Sequence, residues 1–68
     1  MTIGQKIRKC RLDRGMTRDD LSMESGLSFS GIKHIENGVY TPTLSSVTAL
    51  AQALEVSIDY LAGLKKEP

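Results

Sequence analysis

One short phrase recurs along the chain and constrains its fold more than any other feature: an apolar residue, then Ser or Thr, then a second apolar residue four places beyond the hydroxyl. It occurs as Met16-Thr17 with Leu21, as Leu27-Ser28 with Ile32, and as Val56-Ser57 with Leu61. At a helix start of this form the hydroxyl accepts a bond from a backbone N–H that has no partner within the helix, and the flanking apolar pair clamps the entering chain. Three helix N-termini follow. Thr2 with Gln5 three residues later has the form of a capping box, and Thr43 after Pro42 precedes a strongly periodic segment, which adds two more.

Five helices are therefore expected. The first runs from about Ile3 to Arg14, with Ile3, Ile7, Cys10 and Arg14 at helical spacing on one side and Gly15 as its C-terminal cap. The second covers about Arg18 to Glu24 and stops at Gly26; the third covers Phe29 to Glu36 and stops at Gly38. In the fourth, Leu44, Val47, Leu50, Ala51 and Leu54 form a broad apolar stripe, and a final turn or two carries Ile58 and Leu61 before Gly63. No segment alternates strictly enough to be a strand, and no repeat, linker or low-complexity run interrupts the pattern. The fold class is all-α, with a frayed and disordered tail expected over Lys65–Pro68.

A chain of 68 residues buries only about 60% of its unfolded surface. One domain over residues 1–68 is expected, with no room for a separate effector domain that senses a small molecule. Hydrophobic residues at 40% and charged residues at 25% match a globular domain. Phe29, Tyr40 and Tyr60 are the only aromatics, so the core is built from aliphatic side chains, which suits packed helices. No run approaches the roughly 20 apolar residues that span a bilayer, and the first residues do not form a secretory leader; the expected location is the cytoplasm, with no membrane partner. The single cysteine, Cys10, allows neither an internal disulfide nor a cysteine-based zinc site, and it reads as a small core residue. His34 has no second ligand at metal spacing. Paired carboxylates, a nucleophile with its base and a glycine-rich phosphate loop are all missing, so neither a cofactor nor an enzymatic activity is expected. A core this small is marginal, and dimerisation would add buried area.

The net charge of +1 says little, but its distribution says more. Lys6, Arg8, Lys9, Arg11, Arg14, Arg18 and Lys33 fall in the first half, whereas Tyr40 to Leu64 holds no Lys or Arg. Between Arg18 and Val39 two short helices meet at Gly26, with Leu21 on one and Ile32 and Ile35 on the other. That spacing is a helix-turn-helix, with the small Ser22 beside the crossing and glycine at the abrupt turn. With Ile32 and Ile35 pointing inward, helical phase turns Phe29, Ser30, Lys33, His34 and Asn37 outward.

Met16-Thr17-Arg18-Asp19-Asp20-Leu21-Ser22, then Ser25-Gly26-Leu27-Ser28, then Ile32-Lys33-His34-Ile35-Glu36-Asn37-Gly38 resembles the Cro and phage-repressor (Xre) family. Pro42-Thr43-Leu44, Leu50-Ala51-Gln52-Ala53-Leu54 and Val56-Ser57-Ile58-Asp59-Tyr60-Leu61 extend the resemblance to nearly the whole chain. It implies a five-helix, lambda-repressor-like domain with its helix-turn-helix at about residues 18–39. It also implies that the third helix enters the major groove of double-stranded DNA while the second crosses the backbone. On that footing Phe29, Ser30, Gly31, Lys33 and His34 are the candidates for base contact: Ser30 and His34 by hydrogen bonds, Phe29 against a thymine methyl, and Gly31 by admitting close backbone approach. Arg18, with the free N–H groups of its helix, is the candidate for a phosphate, as are Asn37, Tyr40 and Thr41. Arg11 and Glu36 match a pair that the family joins as a structural salt bridge between the first and third helices.

Two stretches depart from the family pattern. Phe29 and Gly31 replace polar residues at the head of the third helix, and Val39-Tyr40-Thr41 is uncharged where many members carry Lys or Arg. Both departures make a dimer more necessary. Val39, Tyr40, Val56, Ile58 and Leu64, apolar and opposite the basic end, are the candidate dimer surface; for Phe29, cover by a neighbouring helix or a partner is the second reading after DNA contact. The function expected is a homodimeric transcriptional regulator, a repressor more than an activator, on a pseudo-palindromic operator. The alternative is a protein-interaction module of the same fold, such as an antitoxin or antirepressor.

Overall fold

The structure, a computed structural model, describes residues 1–67; Pro68, the end of the tail expected to fray, lies outside the described residues. Among these residues there are five helices and no strand: α1 (Ile3–Asp13), α2 (Arg18–Ser25), α3 (Phe29–Glu36), α4 (Leu44–Leu54) and α5 (Ile58–Leu61). Each expected start is a start, and the ends of α1 and α2 move by one residue. Thr2, Thr17, Ser28, Thr43 and Ser57 all take extended backbone angles, and each accepts the N–H three residues on through its hydroxyl. Thr2 and Gln5 form the expected capping box, and Thr17 and Asp20 form a second one that the sequence reading did not identify.

The helix ends are equally local. Gly26 ends α2 with a φ of 77°, and Ser22 secures the turn by donating from Oγ to the Leu27 carbonyl at 2.5 Å. At the end of α3, Gly38 donates to Ile35 and Val39 donates to His34 at 2.9 Å, so the following loop doubles back along α3. The end of α4 has no glycine. Glu55 takes the left-handed conformation there, with a φ of 57°, and pairs with Arg14 at 2.5 Å.

Ile7, Leu21, Ile32, Leu50, Leu54 and Leu61 are the large side chains that lose essentially all contact with water. They come from all five helices, so the core is one cluster rather than a set of pairs. α2 packs on both α3 and α4, α1 on α3, α4 and α5, and α4 on α5. Burial of this aliphatic set is the main favourable term, because each fully buried Leu or Ile contributes roughly 1.5–3 kcal/mol.

Three residues expected on apolar faces lie elsewhere. Leu44 is 74% exposed, because it is the first residue of α4 and sits one turn beyond Val47, where the core stops. Arg14 caps α1 and turns to Glu55 in place of continuing the apolar side. Ile58 sits at the surface, and the buried residues of α5 are Tyr60 and Leu61. Tyr60 is held from α1: Lys6 Nζ lies 5.4 Å from its ring centroid and donates to its carbonyl oxygen at 3.2 Å. Lys6 thus adds a second donor to a carbonyl that the Gly63 N–H already reaches at 3.1 Å, and gains a structural partner.

Gly4 decides how closely α1 approaches α3. A methyl group built at this position would overlap the Ile35 carbonyl oxygen and come within 3.2 Å of the Glu36 Cα. Glycine is therefore a packing requirement here, and its backbone is ordinary helix.

Candidate nucleic-acid interface

The amphipathic pattern of α3 divides it into two faces. Ile32, Ile35 and Glu36 are buried, whereas Phe29, Ser30, Lys33, His34 and Asn37 are exposed and Gly31 is half-buried. Phe29 keeps 44% of its surface exposed. The first turn is tied by Ser28, whose Oγ accepts the Gly31 N–H at 3.0 Å. An α-helix with its side chains is about as wide as the major groove is open, roughly 10–12 Å, so this exposed face has the dimensions to enter one.

Beneath that face, Glu36 is the centre of an ion network. Arg11 reaches from α1 and donates from Nε to Glu36 Oε2 at 2.8 Å and from Nη2 to Oε1 at 3.0 Å, while its Nη1 donates to the Met16 carbonyl at 2.9 Å. This two-pronged geometry suits a planar guanidinium and a carboxylate. The bond to Glu36 holds the Arg11 guanidinium above its ordinary pKa, against the opposing effect of burial. Among the described residues, every buried side-chain nitrogen and oxygen has a hydrogen-bond partner. An ion pair this deep offsets its desolvation only when its remaining donors and acceptors are satisfied, and here they are.

Arg18 adds a contact that the sequence reading did not anticipate. It donates from Nε to Glu36 Oε1 at 3.1 Å, with about a quarter of its side chain still exposed. The cation at the head of α2 is thus anchored to α3, and its two terminal NH2 groups lie outside that bond. The N–H groups of Thr17 and Asp20 are also engaged, in the capping box, so the donors left at this helix end are fewer than the sequence implied. No local pattern could have shown the Arg18 contact, since the two residues are 18 apart and meet only when α2 packs on α3.

The loop after α3 holds a second surprise. Tyr40 folds back so that its hydroxyl donates to the Gly31 carbonyl at 3.2 Å and its ring meets the His34 ring edge-on, 5.7 Å between centroids at 64°. The space that Gly31 leaves open is thus bordered by the Tyr40 phenol, 3.2 Å from where a Cβ would lie. Asn37 caps α3 and is exposed, and Thr41 is exposed as well. Of the other apolar surface candidates, Val39 and Leu64 are well exposed and Ile58 is at the margin, while Val56 packs against the core. Cys10 is buried against the same core, and burial pushes its thiol above the ordinary value.

The helix-turn-helix family model matches residues 7–61. The immunity repressor protein of Bacillus phage phi105 is 36% identical over 63 residues, covering 93% of this chain and 44% of that protein. The transcriptional repressor RstR of cryptic phage CTXphi from Vibrio cholerae is 33% identical over 63 residues, again 93% of this chain and 56% of its own length. The chain thus spans about half the length of these two relatives. Among solved structures, the P22 c2 repressor protein in complex with a synthetic operator superposes with a TM-score of 0.87 at 28% identity, over 96% of this chain and 98% of that one. The five-helix arrangement is lambda-repressor-like, and the chain belongs to the Cro and phage-repressor (Xre) type of the helix-turn-helix family.

Proposed function

We propose that this chain binds double-stranded DNA sequence-specifically as a transcriptional regulator, and that it represses more than it activates. The observation that carries the reading is the exposed face of α3, mixed polar and aromatic, held against the core by Ile32, Ile35 and the Glu36 network. The relatives' names as repressors and the operator bound to the P22 c2 protein support it. Ser30, Lys33 and His34 face base edges, Phe29 lies against a thymine methyl, and Gly31 keeps the backbone close. Arg18, Asn37, Tyr40 and Thr41 hold phosphates and set register. Arg11 and Glu36 act beneath this surface as a structural pair.

The regulator acts as a homodimer on a pseudo-palindromic operator, its two α3 helices entering major grooves roughly 34 Å apart. Exposed Val39, Tyr40, Ile58 and Leu64, with the partly buried Val56, favour such a pairing. Residues 1–68 act as one domain, by binding rather than by catalysis. None of the helices described is long and apolar enough to cross a membrane, and a regulator of DNA works in the cytoplasm.

Selection from a randomised DNA pool tests the reading, with the winner compared against scrambled DNA at two salt concentrations. An enriched inverted repeat with steep salt dependence is the expected result. Weak, salt-sensitive binding to every sequence would instead favour a module whose main ligand is a protein, of the antitoxin or antirepressor kind.

A further inference from the structure

The geometry points to Tyr40 as a positioning residue that sets the base preference of His34, a role beyond the phosphate and dimer contacts proposed for it above. The inference rests on the DNA reading above and deepens it. Three observations converge. Val39 donates to the His34 carbonyl at 2.9 Å, which returns the loop to α3 one residue before Tyr40. The Tyr40 ring then meets the imidazole edge-on, and its hydroxyl donates to the Gly31 carbonyl one turn earlier on the same helix. Gly31 is the third element: a Cβ there would lie 2.9 Å from Ser28 Oγ and 3.2 Å from the phenol oxygen, so glycine lets the phenol sit this close without displacement.

An exposed histidine on a helix surface ordinarily samples several rotamers. An aromatic partner on one side removes some of them before any ligand arrives. A hydrogen bond from imidazole to a base edge needs a defined ring orientation, so restricting the ring raises discrimination between bases rather than affinity for all DNA. Tyr40 is itself 46% exposed and outside the core, which makes its replacement compatible with folding.

The test uses the full chain with Tyr40→Phe, Tyr40→Ala, His34→Ala and the His34→Ala/Tyr40→Ala pair. Each is read by DNA selection and by the NMR shifts of the His34 ring protons in the free protein. Tyr40→Ala is expected to lose about two- to tenfold of discrimination, the worth of one hydrogen bond, at the same base positions as His34→Ala. The double variant should then lose no more than His34→Ala alone, and Tyr40→Phe, which keeps the ring contact, should retain the preference. The imidazole protons should move toward free-histidine positions in Tyr40→Ala and stay displaced in Tyr40→Phe.

A uniform loss of affinity with a shallower salt slope and unchanged preference would overturn the proposal and leave Tyr40 a phosphate contact alone. Losses at different base positions that add in the double variant would overturn it too. If the unsubstituted chain enriches no sequence, the DNA reading fails by itself. The ring-proton shifts then decide whether Tyr40 orients His34: unchanged shifts in Tyr40→Ala refute the contact, and the displacement described supports it.

Discussion

Arg18 at the head of α2 and Glu36 in the last turn of α3 are joined by a 3.1 Å bond from Nε to Oε1. Because Glu36 also receives Arg11, one buried carboxylate ties α1, α2 and α3 together. The surface proposed to read bases and the cation proposed to hold a phosphate thus share an anchor.

Removing that anchor should be severe. Glu36→Ala leaves Arg11 buried without its partner, a defect that costs about 3–5 kcal/mol in buried pairs. A domain of this size has only about 3–10 kcal/mol in total, so the midpoint of thermal unfolding should fall by tens of degrees or the cooperative transition should vanish. Arg11→Met with Glu36→Leu, which removes both charges, should lose much less. Calorimetry on the two variants checks the difference, and equal losses would assign the stability to packing volume rather than to charge.

Arg18→Ala has a different signature. Arg18 itself is partly solvated and Glu36 keeps Arg11 as a partner, so the effect on stability should stay below about 1 kcal/mol. Binding should weaken on every sequence alike, and the slope of log affinity against log salt should fall by about one, since one phosphate contact is lost. Titrations over a salt series on operator and scrambled DNA measure it; a changed base preference would contradict the role given to Arg18.

Gly4→Ala adds one methyl group at the tightest approach of α1 to α3. Alanine is the better helix former by roughly 1 kcal/mol, yet overpacking against a backbone carbonyl should outweigh that gain and destabilise the domain by about 1–3 kcal/mol. Chemical denaturation with circular dichroism detects a shift of this size. A more stable variant would mean that α1 can slide away from α3 freely.

Cys10 predicts an alkaline limb of the stability profile. Its folded thiol is held above the ordinary value by burial, while the unfolded thiol ionises at about 9. Above that pH the unfolded chain therefore binds fewer protons than the folded one, so stability falls as pH rises until the folded thiol also ionises. Below it the thiol contributes nothing to the pH dependence. Denaturation midpoints between neutral and alkaline pH should show the decline in the natural chain, and Cys10→Ala should lack the part due to the thiol.

The helix starts were legible because capping is local: a hydroxyl, the N–H three residues on and an apolar clamp lie within one turn, so Thr17, Ser28 and Ser57 announce themselves. The outward and inward faces of α3 were legible for the same reason, from helical phase alone. Leu44 lies in solvent despite its phase, because periodicity gives direction around a helix and not whether a neighbour stands there; α4 begins beyond the core. What only the tertiary structure decided are the contacts between segments distant in sequence: Gly4 against Ile35, Lys6 on Tyr60, Arg18 on Glu36. Tyr40 over Gly31 belongs with them although it is only nine residues away, because the path of the loop is set by Gly38 and by the space Gly31 leaves. Such contacts depend on the angles at which helices and loops pack, and those angles are a property of the whole core rather than of any local window of sequence.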